Sequence, residues 1–231
     1  MKTLIISDAH SDFSKINSYC KDTFQHCNNI VLLGDQEVKR DIKSELSNYE
    51  NVYYIFGNHD ETEDIIKNHE SIIENNLHCK VVEINRIKVA GIGGAINFDF
   101  FGISPVDGIE DIYNVQSKYF SRELYLQAKK GTEFEKACHA ISMASIFPAD
   151  VEKFIDMPGA DVLVSHEAPE SHPLGYKLIG DIGRILGVKL ILHGHHHEAY
   201  QAMIPDGNNT ISVVGVSPTC RHFLEELYFS I

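Results

Sequence analysis

Short apolar runs alternate with helical periodicity along the first third of the chain. The apolar runs cover residues 2–7, 29–35 and 51–60, and helical patterns lie near residues 12–26, 41–48 and 61–74. Such alternation is typical of βαβ units, in which helices cover both faces of a sheet with parallel strands. The pattern therefore predicts an α/β fold.

A hairpin and a helical insert are predicted next. Two β-rich runs in residues 80–94 are separated by Asn85 and Arg86, which fit a tight turn. From about residue 96 to residue 160 the pattern is helical, notably at 132–145 and 149–155, and we expect an inserted lid within a single domain, 1–231. A helix is predicted at 176–186, and strands at 161–166, 188–198, 200–204, 210–216 and 227–229.

Composition narrows the class of protein. The chain has 231 residues, 43% of them hydrophobic, and a formal net charge of −13, which argues against extended nucleic acid as a partner. No apolar run approaches the ~20 residues that span a bilayer, and the N-terminal run is shorter than the ~7–15 residues of a signal peptide. We expect a cytoplasmic protein that does not contact membranes. Reduced, mostly buried thiols are expected, because no two cysteines form a CxxC pair.

Polar side chains follow several of the predicted strands. Because the carboxyl ends of strands build the sites of α/β sheets, we expect these side chains to converge. Carboxylate, imidazole and amide groups together suit Mn²⁺, Fe or Zn²⁺. The segments are Asp8-x-His10, Gly34-Asp35, Gly57-Asn58-His59-Asp60, His166 and Gly194-His195-x-His197.

Two of these segments repeat a two-residue spacing. In an extended chain, side chains two residues apart point to the same face, so Asp8 and His10 are predicted to share one ion. The same argument groups His195 with His197 and turns His196 away. Gly194 is expected to let the backbone turn close to the site.

The five segments in this order resemble the calcineurin-like metallophosphoesterase superfamily, whose pattern is DxH … GD … GNH(D/E) … H … GHxH. The resemblance spans residues 8–197. It implies a four-layer α/β/β/α sandwich of two facing mixed sheets flanked by helices. It also implies two divalent metal ions, with Mn²⁺ expected first and Fe, Zn²⁺, Ni²⁺ or Co²⁺ as alternatives.

The resemblance further implies a role for each matched residue. Asp35 would bridge the two metals, His59 would act as the general acid, and Asp60 would orient His59. One metal would be held by Asp8, His10, Asp35 and His197, and the other by Asp35, Asn58, His166 and His195. The implied reaction is hydrolysis of a small phosphoester, a nucleotide-like diester or a monoester, by attack of a metal-bridging hydroxide.

Substrate contacts and a competing function stay open. Protein phosphatases of this superfamily extend the second motif to a form like GDxxDRG. The stretch GDQEVKR lacks the second Asp and the Arg-Gly of that form, which disfavours a protein phosphatase. The alternative is a non-catalytic scaffold that keeps this fold to bind protein partners, and the oligomeric state is left open. Candidate substrate contacts are Lys118, Tyr119 and Arg122 in the insert, with Lys39 and Arg40 beyond Asp35. His193 is expected to pack or to support the ligands, and His196 to lie at the surface or to support them. The histidines outside the pattern are expected to be solvated or structural: His26, His69, His78, His139, His172 and His222.

Overall fold

Two β-sheets face each other at the centre of the molecule, in a computed structural model that describes residues 2–14, 16–17 and 27–231. The first sheet has the strand order β12-β1-β2-β3, in which β1, β2 and β3 are parallel and β12 is antiparallel. Its strands are β1 (Lys2–Ile6), β2 (Cys27–Leu33), β3 (Asn51–Ile55) and β12 (His222–Phe223).

The second sheet has six strands in the order β10-β11-β9-β8-β5-β4. Its central strands β5, β8, β9 and β11 are parallel, and the antiparallel strands β4 and β10 form its edges. The strands are β4 (Lys80–Ile84), β5 (Ile87–Ile92), β8 (Val162–Ser165), β9 (Leu190–His193), β10 (Tyr200–Asp206) and β11 (Asn209–Gly215). Asn85 and Arg86 form the predicted turn, both with positive φ.

Helices and a small third sheet complete the described elements. The parallel pair β6 (Ala95–Ile96) and β7 (Ser145–Ile146) forms that sheet. Short 3-10 helices cover Glu70–Asn75 and Ile109–Asp111. The α-helices are α1 (Ile42–Glu45), α2 (Glu63–Asn68), α3 (Phe98–Phe101), α4 (Arg122–Lys129), α5 (Glu135–Met143), α6 (Pro148–Ile155), α7 (Lys177–Leu186) and α8 (Leu224–Phe229).

Three hydrophobic layers hold these elements together. Between the sheets, Val31 and Leu33 of β2 pack in one cluster with Val164 and Leu192. Outside the four-stranded sheet, a second cluster joins strand residues such as Leu32 to the α1 region. Outside the six-stranded sheet, a third cluster joins its strands to α6 and α7. These layers confirm the α/β/β/α sandwich.

The structure differs from the predicted elements in two places, and a third prediction falls largely on residues that it does not describe. Residues 227–229 lie in helix α8 rather than in a strand, because three apolar residues are too few to separate the two periods. The segment predicted as a helical insert contains β7, and α6 buries Val151 and Phe154 in the outer core with α7. The helix predicted near residues 12–26 lies largely outside the described residues.

The helices were also compared with the dimensions of a membrane. Within the described ranges, none of them is both long enough and apolar enough to cross a bilayer.

Candidate metal centre

The segments that follow five parallel strands meet at one end of the sandwich. Strands β1, β2 and β3 bring their carboxyl ends from one sheet, and β8 and β9 bring theirs from the other. Backbone hydrogen bonds join the loops, since Asp8 N–H donates to Gly34 O at 3.1 Å and His10 N–H donates to Asp35 O at 3.0 Å. Main-chain hydrogen bonds therefore hold the loops of the site together, independently of the ligand side chains.

One group of candidate ligands, the outer group, consists of Asp8, His10 and His197. Their ligand atoms all lie within 4.8 Å of one another. The Nε2 atoms of His10 and His197 are 3.1 Å apart, and His197 Nε2 is 3.4 Å from Asp8 Oδ1. Three donor atoms of this kind, facing each other this closely, fit a divalent ion.

A second group, the inner group, consists of Asp35, His166 and His195, again with ligand atoms within 4.8 Å of one another. His166 Nε2 lies 3.4 Å from Asp35 Oδ2 and 3.0 Å from Asn58 Oδ1. The two groups touch, because His195 N–H lies 3.2 Å from each oxygen of the Asp8 carboxylate. All seven predicted ligand residues are therefore brought together.

Hydrogen bonds at Nδ1 set the histidine tautomers. His10 Nδ1 is 2.7 Å from Glu37 Oε1, and His166 Nδ1 is 2.8 Å from the carbonyl oxygen of Leu33. Both partners are acceptors, so each Nδ1 carries a proton, and Nε2 is the nitrogen left to bind a metal when the ring is neutral. This is the arrangement that metal-ligating histidines adopt, and the donor set therefore fits a pair of divalent ions.

Burial and neighbouring charges shift several pKa values here. Burial raises the pKa of Asp8, in spite of the neighbouring histidines. Burial would also raise the pKa of Asp35, but the hydrogen bond and charge of His166 outweigh it and lower that pKa. Burial opposes the charged form of His166, yet Asp35 raises its pKa to about 9. Burial lowers the pKa of His195 to about 4, so this ring is neutral at pH 7.

The ligands converge by a different route from the predicted one. Strand parity does not position them, because the strands end at Ile6 and His193 and the ligands lie beyond, in loops. Five of the ligands instead have left-handed backbone with φ between 41° and 71°: Asp8, His10, Asp35, His195 and His197. This conformation costs L-residues free energy and often clusters at functional sites.

Three glycines allow the loops to approach so closely. A Cβ on Gly57 would lie 2.2 Å from Asp35 Oδ1, and one on Gly34 would lie 2.3 Å from His166 Nδ1. A Cβ on Gly194 would lie 1.8 Å from Ser7 Oγ, which agrees with the expectation that this glycine lets the backbone pass close to the site.

The predicted pair His59 and Asp60 is not paired in the structure. The Asp60 carboxylate is fully buried and accepts hydrogen bonds from the backbone N–H groups of Gly57 and Glu37, each at 2.9 Å. Both oxygens are thus occupied by main chain, and Asp60 fastens two loops rather than orienting His59. The carboxylate nearest the His59 ring is that of Glu37, with Oε1 3.9 Å from Nδ1.

Two acidic residues of the site were missed by sequence reasoning. Glu37 contacts His10, and the buried Glu167 forms a group with His195 and His196 whose ligand atoms lie within 4.8 Å of one another. Glu167 also accepts a hydrogen bond from Ile96 N–H. The only sequence signal was their position next to matched motifs, and neither falls on a pattern position.

Two of the candidate substrate contacts of the insert, Arg122 and Tyr119, make contacts within the insert itself. Arg122 Nε donates to Ser142 O, and its Nη2 lies 3.5 Å from the buried carboxylate of Asp150, so this guanidinium anchors the insert. Tyr119 packs on Phe100 and Tyr125 in an aromatic cluster. Since α4 begins only at Arg122, Lys118 is in an exposed loop, with its Nζ 5.7 Å from the Tyr119 ring.

The two basic residues beyond Asp35 differ from each other. Arg40 is exposed and pairs with Glu45. Lys39 lines a cavity of about 500 Å³ together with Ser11 and Glu37, beside the outer group of ligands. Lys39 thus shares a cavity with Glu37, which contacts the candidate ligand His10.

The neighbouring histidines form a cluster behind the inner group. His193 is buried, its Nε2 is 2.7 Å from Tyr200 Oη, and burial lowers its pKa to about 3. His196 stacks on His172 with ring centroids 3.9 Å apart. His193 therefore packs, as expected, while His196 turns away from the outer group toward His172.

Comparisons with known proteins show the family of this chain. The model of the calcineurin-like phosphoesterase superfamily domain matches residues 1–218, so the chain belongs to this superfamily. An uncharacterized protein of Haemophilus influenzae is 31% identical over 211 residues, which are 85% of this chain and 84% of that relative. Membership supports phosphoester hydrolysis as the reaction class and divalent metals as cofactors.

Two solved structures align with most of the chain, with different TM-scores. Phosphopantetheinyl hydrolase (PptH) from Mycobacterium tuberculosis aligns with a TM-score of 0.53 at 14% identity, over 94% of this chain and 90% of that chain. A predicted phosphoesterase from Streptococcus pneumoniae aligns with a TM-score of 0.38 at 12% identity, over 94% and 72% of the two chains. The first of these shows a shared fold.

Proposed function

We propose that the chain is a dinuclear metal-dependent phosphoesterase that hydrolyses a small nucleotide-like phosphodiester or phosphomonoester. The observation that carries the proposal is the pair of adjacent ligand groups, with ligand atoms within 4.8 Å in each. The Nδ1 contacts of His10 and His166 support it, because they leave Nε2 of each ring as the nitrogen that faces the other candidate ligands.

The proposed ligand sets follow the superfamily pattern. Asp8, His10, Asp35 and His197 would hold one ion, and Asp35, Asn58, His166 and His195 would hold the other. Asp35 is the proposed bridge. Its burial supports this role, as does the hydrogen bond that one of its oxygens accepts from His59 N–H at 2.8 Å, which fixes the carboxylate.

Bound divalent ions supply a water of lowered pKa as nucleophile and offset the negative charge of the phosphoryl oxygens. The protein contributes orientation and a proton. The His59 side chain is 59% exposed and its ring lies beside His10, so a bound substrate can approach it from solvent. We assign it the proton donated to the leaving oxygen.

A hydrolysis assay tests the proposal. The purified protein is stripped of metal, reloaded with Mn²⁺ and given bis-p-nitrophenyl phosphate and p-nitrophenyl phosphate. Hydrolysis of either ester, lost in Asp35→Asn and kept in the exposed control Asp64→Asn, supports the phosphoesterase. Two bound ions without hydrolysis of either ester would contradict this substrate class and favour a scaffold.

The acid role has its own test. In His59→Ala we expect both Mn²⁺ ions to remain, because this side chain is in neither ligand group. Turnover should fall by about 10²–10⁴-fold, the range typical of general acid–base catalysis. Metal content and kcat are measured together, and normal turnover in this variant would exclude His59 as the acid.

A further inference from the structure

The Glu37 carboxylate lies between two histidines of the proposed site. Its Oε1 atom is 2.7 Å from His10 Nδ1 and 3.9 Å from His59 Nδ1. The two rings stand nearly perpendicular, with centroids 5.5 Å apart. One carboxylate oxygen thus faces a candidate metal ligand and the candidate acid at the same time.

The backbone of Glu37 is held from both sides. Its N–H donates to the buried Asp60 carboxylate at 2.9 Å, and Ser11 Oγ donates to its carbonyl oxygen at 2.6 Å. Its φ is +47°, a left-handed value that L-residues adopt at a cost. Contacts on both sides of a strained residue indicate that the position of this side chain is determined by the loops around it.

Stability of the fold does not account for this placement. The Glu37 side chain is 36% exposed, and within the described residues its ion-pair partners are the histidines His10 and His59 rather than a lysine or arginine. The free energy of unfolding should therefore change little when this carboxylate is removed, since exposed ion pairs contribute little to stability.

We infer that Glu37 is a positioning residue for the proposed phosphoesterase reaction, and the inference rests on that proposed function. Toward His10 it accepts the Nδ1 proton, which fixes the ring and directs the Nε2 lone pair to the outer ion. Toward His59 it attracts the Nδ1 edge of the ring, which leaves the Nε2 edge on the far side for the leaving group. One side chain thereby aligns metal ligation with proton delivery.

The first test measures metal binding rather than activity. Mn²⁺ is titrated calorimetrically into metal-free wild type, Glu37→Ala and Glu37→Gln. We expect Glu37→Ala to weaken one of the two Mn²⁺ affinities by about 10–100-fold, the usual cost of losing an outer partner of a ligating histidine. Glu37→Gln should keep most of the affinity, because its amide oxygen still accepts the Nδ1 proton.

The matched control is Asp64→Ala. Asp64 lines the same cavity as Glu37, but in the part of the chain that the structure describes it forms no ion pair with His10 or His59. Its removal should leave both Mn²⁺ affinities unchanged. If Glu37→Ala binds both ions like wild type, or if Glu37→Gln loses as much affinity as Glu37→Ala, the role toward His10 is wrong.

The second test separates proton delivery from metal binding. At saturating Mn²⁺, kcat is compared for phenyl phosphate and p-nitrophenyl phosphate, since a poor leaving group depends more on a general acid. Glu37→Ala should lower kcat more for the phenyl ester than for the p-nitrophenyl ester. An equal effect on both esters would exclude the role toward His59.

The two proposals fail in different ways. Wild-type protein that hydrolyses esters while the Glu37 variants behave like it would overturn this inference alone. Wild-type protein that binds Mn²⁺ without hydrolysing any ester would overturn the proposed function, and the calorimetric comparison would still decide the contact with His10.

Discussion

The two ligand groups differ in burial and in what orients them. In the inner group, the side chains of His166 and Asp35 are 0% and 1% exposed, and main-chain atoms fix both. In the outer group, His197 is 47% exposed and His10 depends on the side chain of Glu37. The inner group is therefore part of the core, while the outer group combines the buried Asp8 with two histidines that are partly exposed.

Breaking the inner group should have the largest effect. In His166→Ala, the buried Asp35 carboxylate loses its partner, which typically costs about 3–5 kcal/mol of stability. We expect loss of hydrolysis and of at least one Mn²⁺ ion, measured by metal analysis and chemical unfolding. The buried histidine His69 supplies the control, because His69→Ala should leave metal content unchanged. If His166→Ala hydrolyses esters normally, the inner group is not the metal site; His166→Gln repeats the test with a side chain that can still hydrogen-bond.

Breaking the outer group should affect activity but not folding. In His197→Ala we expect one Mn²⁺ ion to be lost and the other kept. The fall in kcat should exceed about 10–100-fold, the usual cost of losing a residue that only hydrogen-bonds to a metal ligand. Thermal unfolding of the metal-free protein should hardly change. The exposed His139→Ala is the matched control, and loss of both ions from His197→Ala would mean that the two positions are not separable.

A chelator should sharpen the comparison without any substitution. Because His197 of the outer group is 47% exposed while His166 and Asp35 of the inner group are buried, we expect Mn²⁺ to leave in two phases when EDTA is added. The slow phase should belong to the inner group. Metal release and residual hydrolysis are followed together, and activity should disappear with the fast phase; a single phase for both ions would contradict the difference in access.

The smallest effect on catalysis is expected far from both groups, at Asp150. Burial would raise the pKa of Asp150, but the hydrogen bond of His78 and the charges of His78, Arg122 and Lys153 hold it well below its ordinary value. A lowered pKa contributes stability above the unfolded value of about 3.9 that is lost as pH falls below it. Between pH 7 and pH 3, the free energy of unfolding should therefore fall less in Asp150→Asn than in wild type, as measured by chemical unfolding at each pH.

Asp156→Asn, at the exposed end of the same helix, is the control for this pH series. Its acid loss should match that of wild type. Identical pH dependence in Asp150→Asn and wild type would mean that Asp150 does not anchor the insert electrostatically.

The sandwich layers were predicted through the resemblance to the superfamily, and strong local patterns selected the candidate ligands that the structure brings together. Apolar strands that end in polar residues specify which edge of the sheets carries chemistry, and the spacing of the motifs selected every residue of the two groups. The backbone conformation that brings the ligands together could not be predicted from the sequence, since the left-handed φ values of Asp8 and His197 depend on tertiary contacts. Helix α8 was taken for a strand because its apolar run is short.

Side-chain partners were the least predictable feature. Asp60 follows the motif pattern, yet its carboxylate is consumed by two backbone N–H groups once Gly57 and Glu37 come together. Arg122 has the composition of a phosphate contact, but Asp150 lies far from it in sequence and captures its guanidinium. Which carboxylate meets which cation is decided by packing, and sequence spacing does not encode it.

The three glycines of the site limit how this protein can be altered. A library that aims at a new metal preference can vary His197 or Glu37, whose side chains reach solvent. Gly34, Gly57 and Gly194 are closed to it, because even one methyl group at these positions would overlap a ligand or Ser7. Selection for new chemistry therefore has room on the outer rim of the centre and almost none at its base.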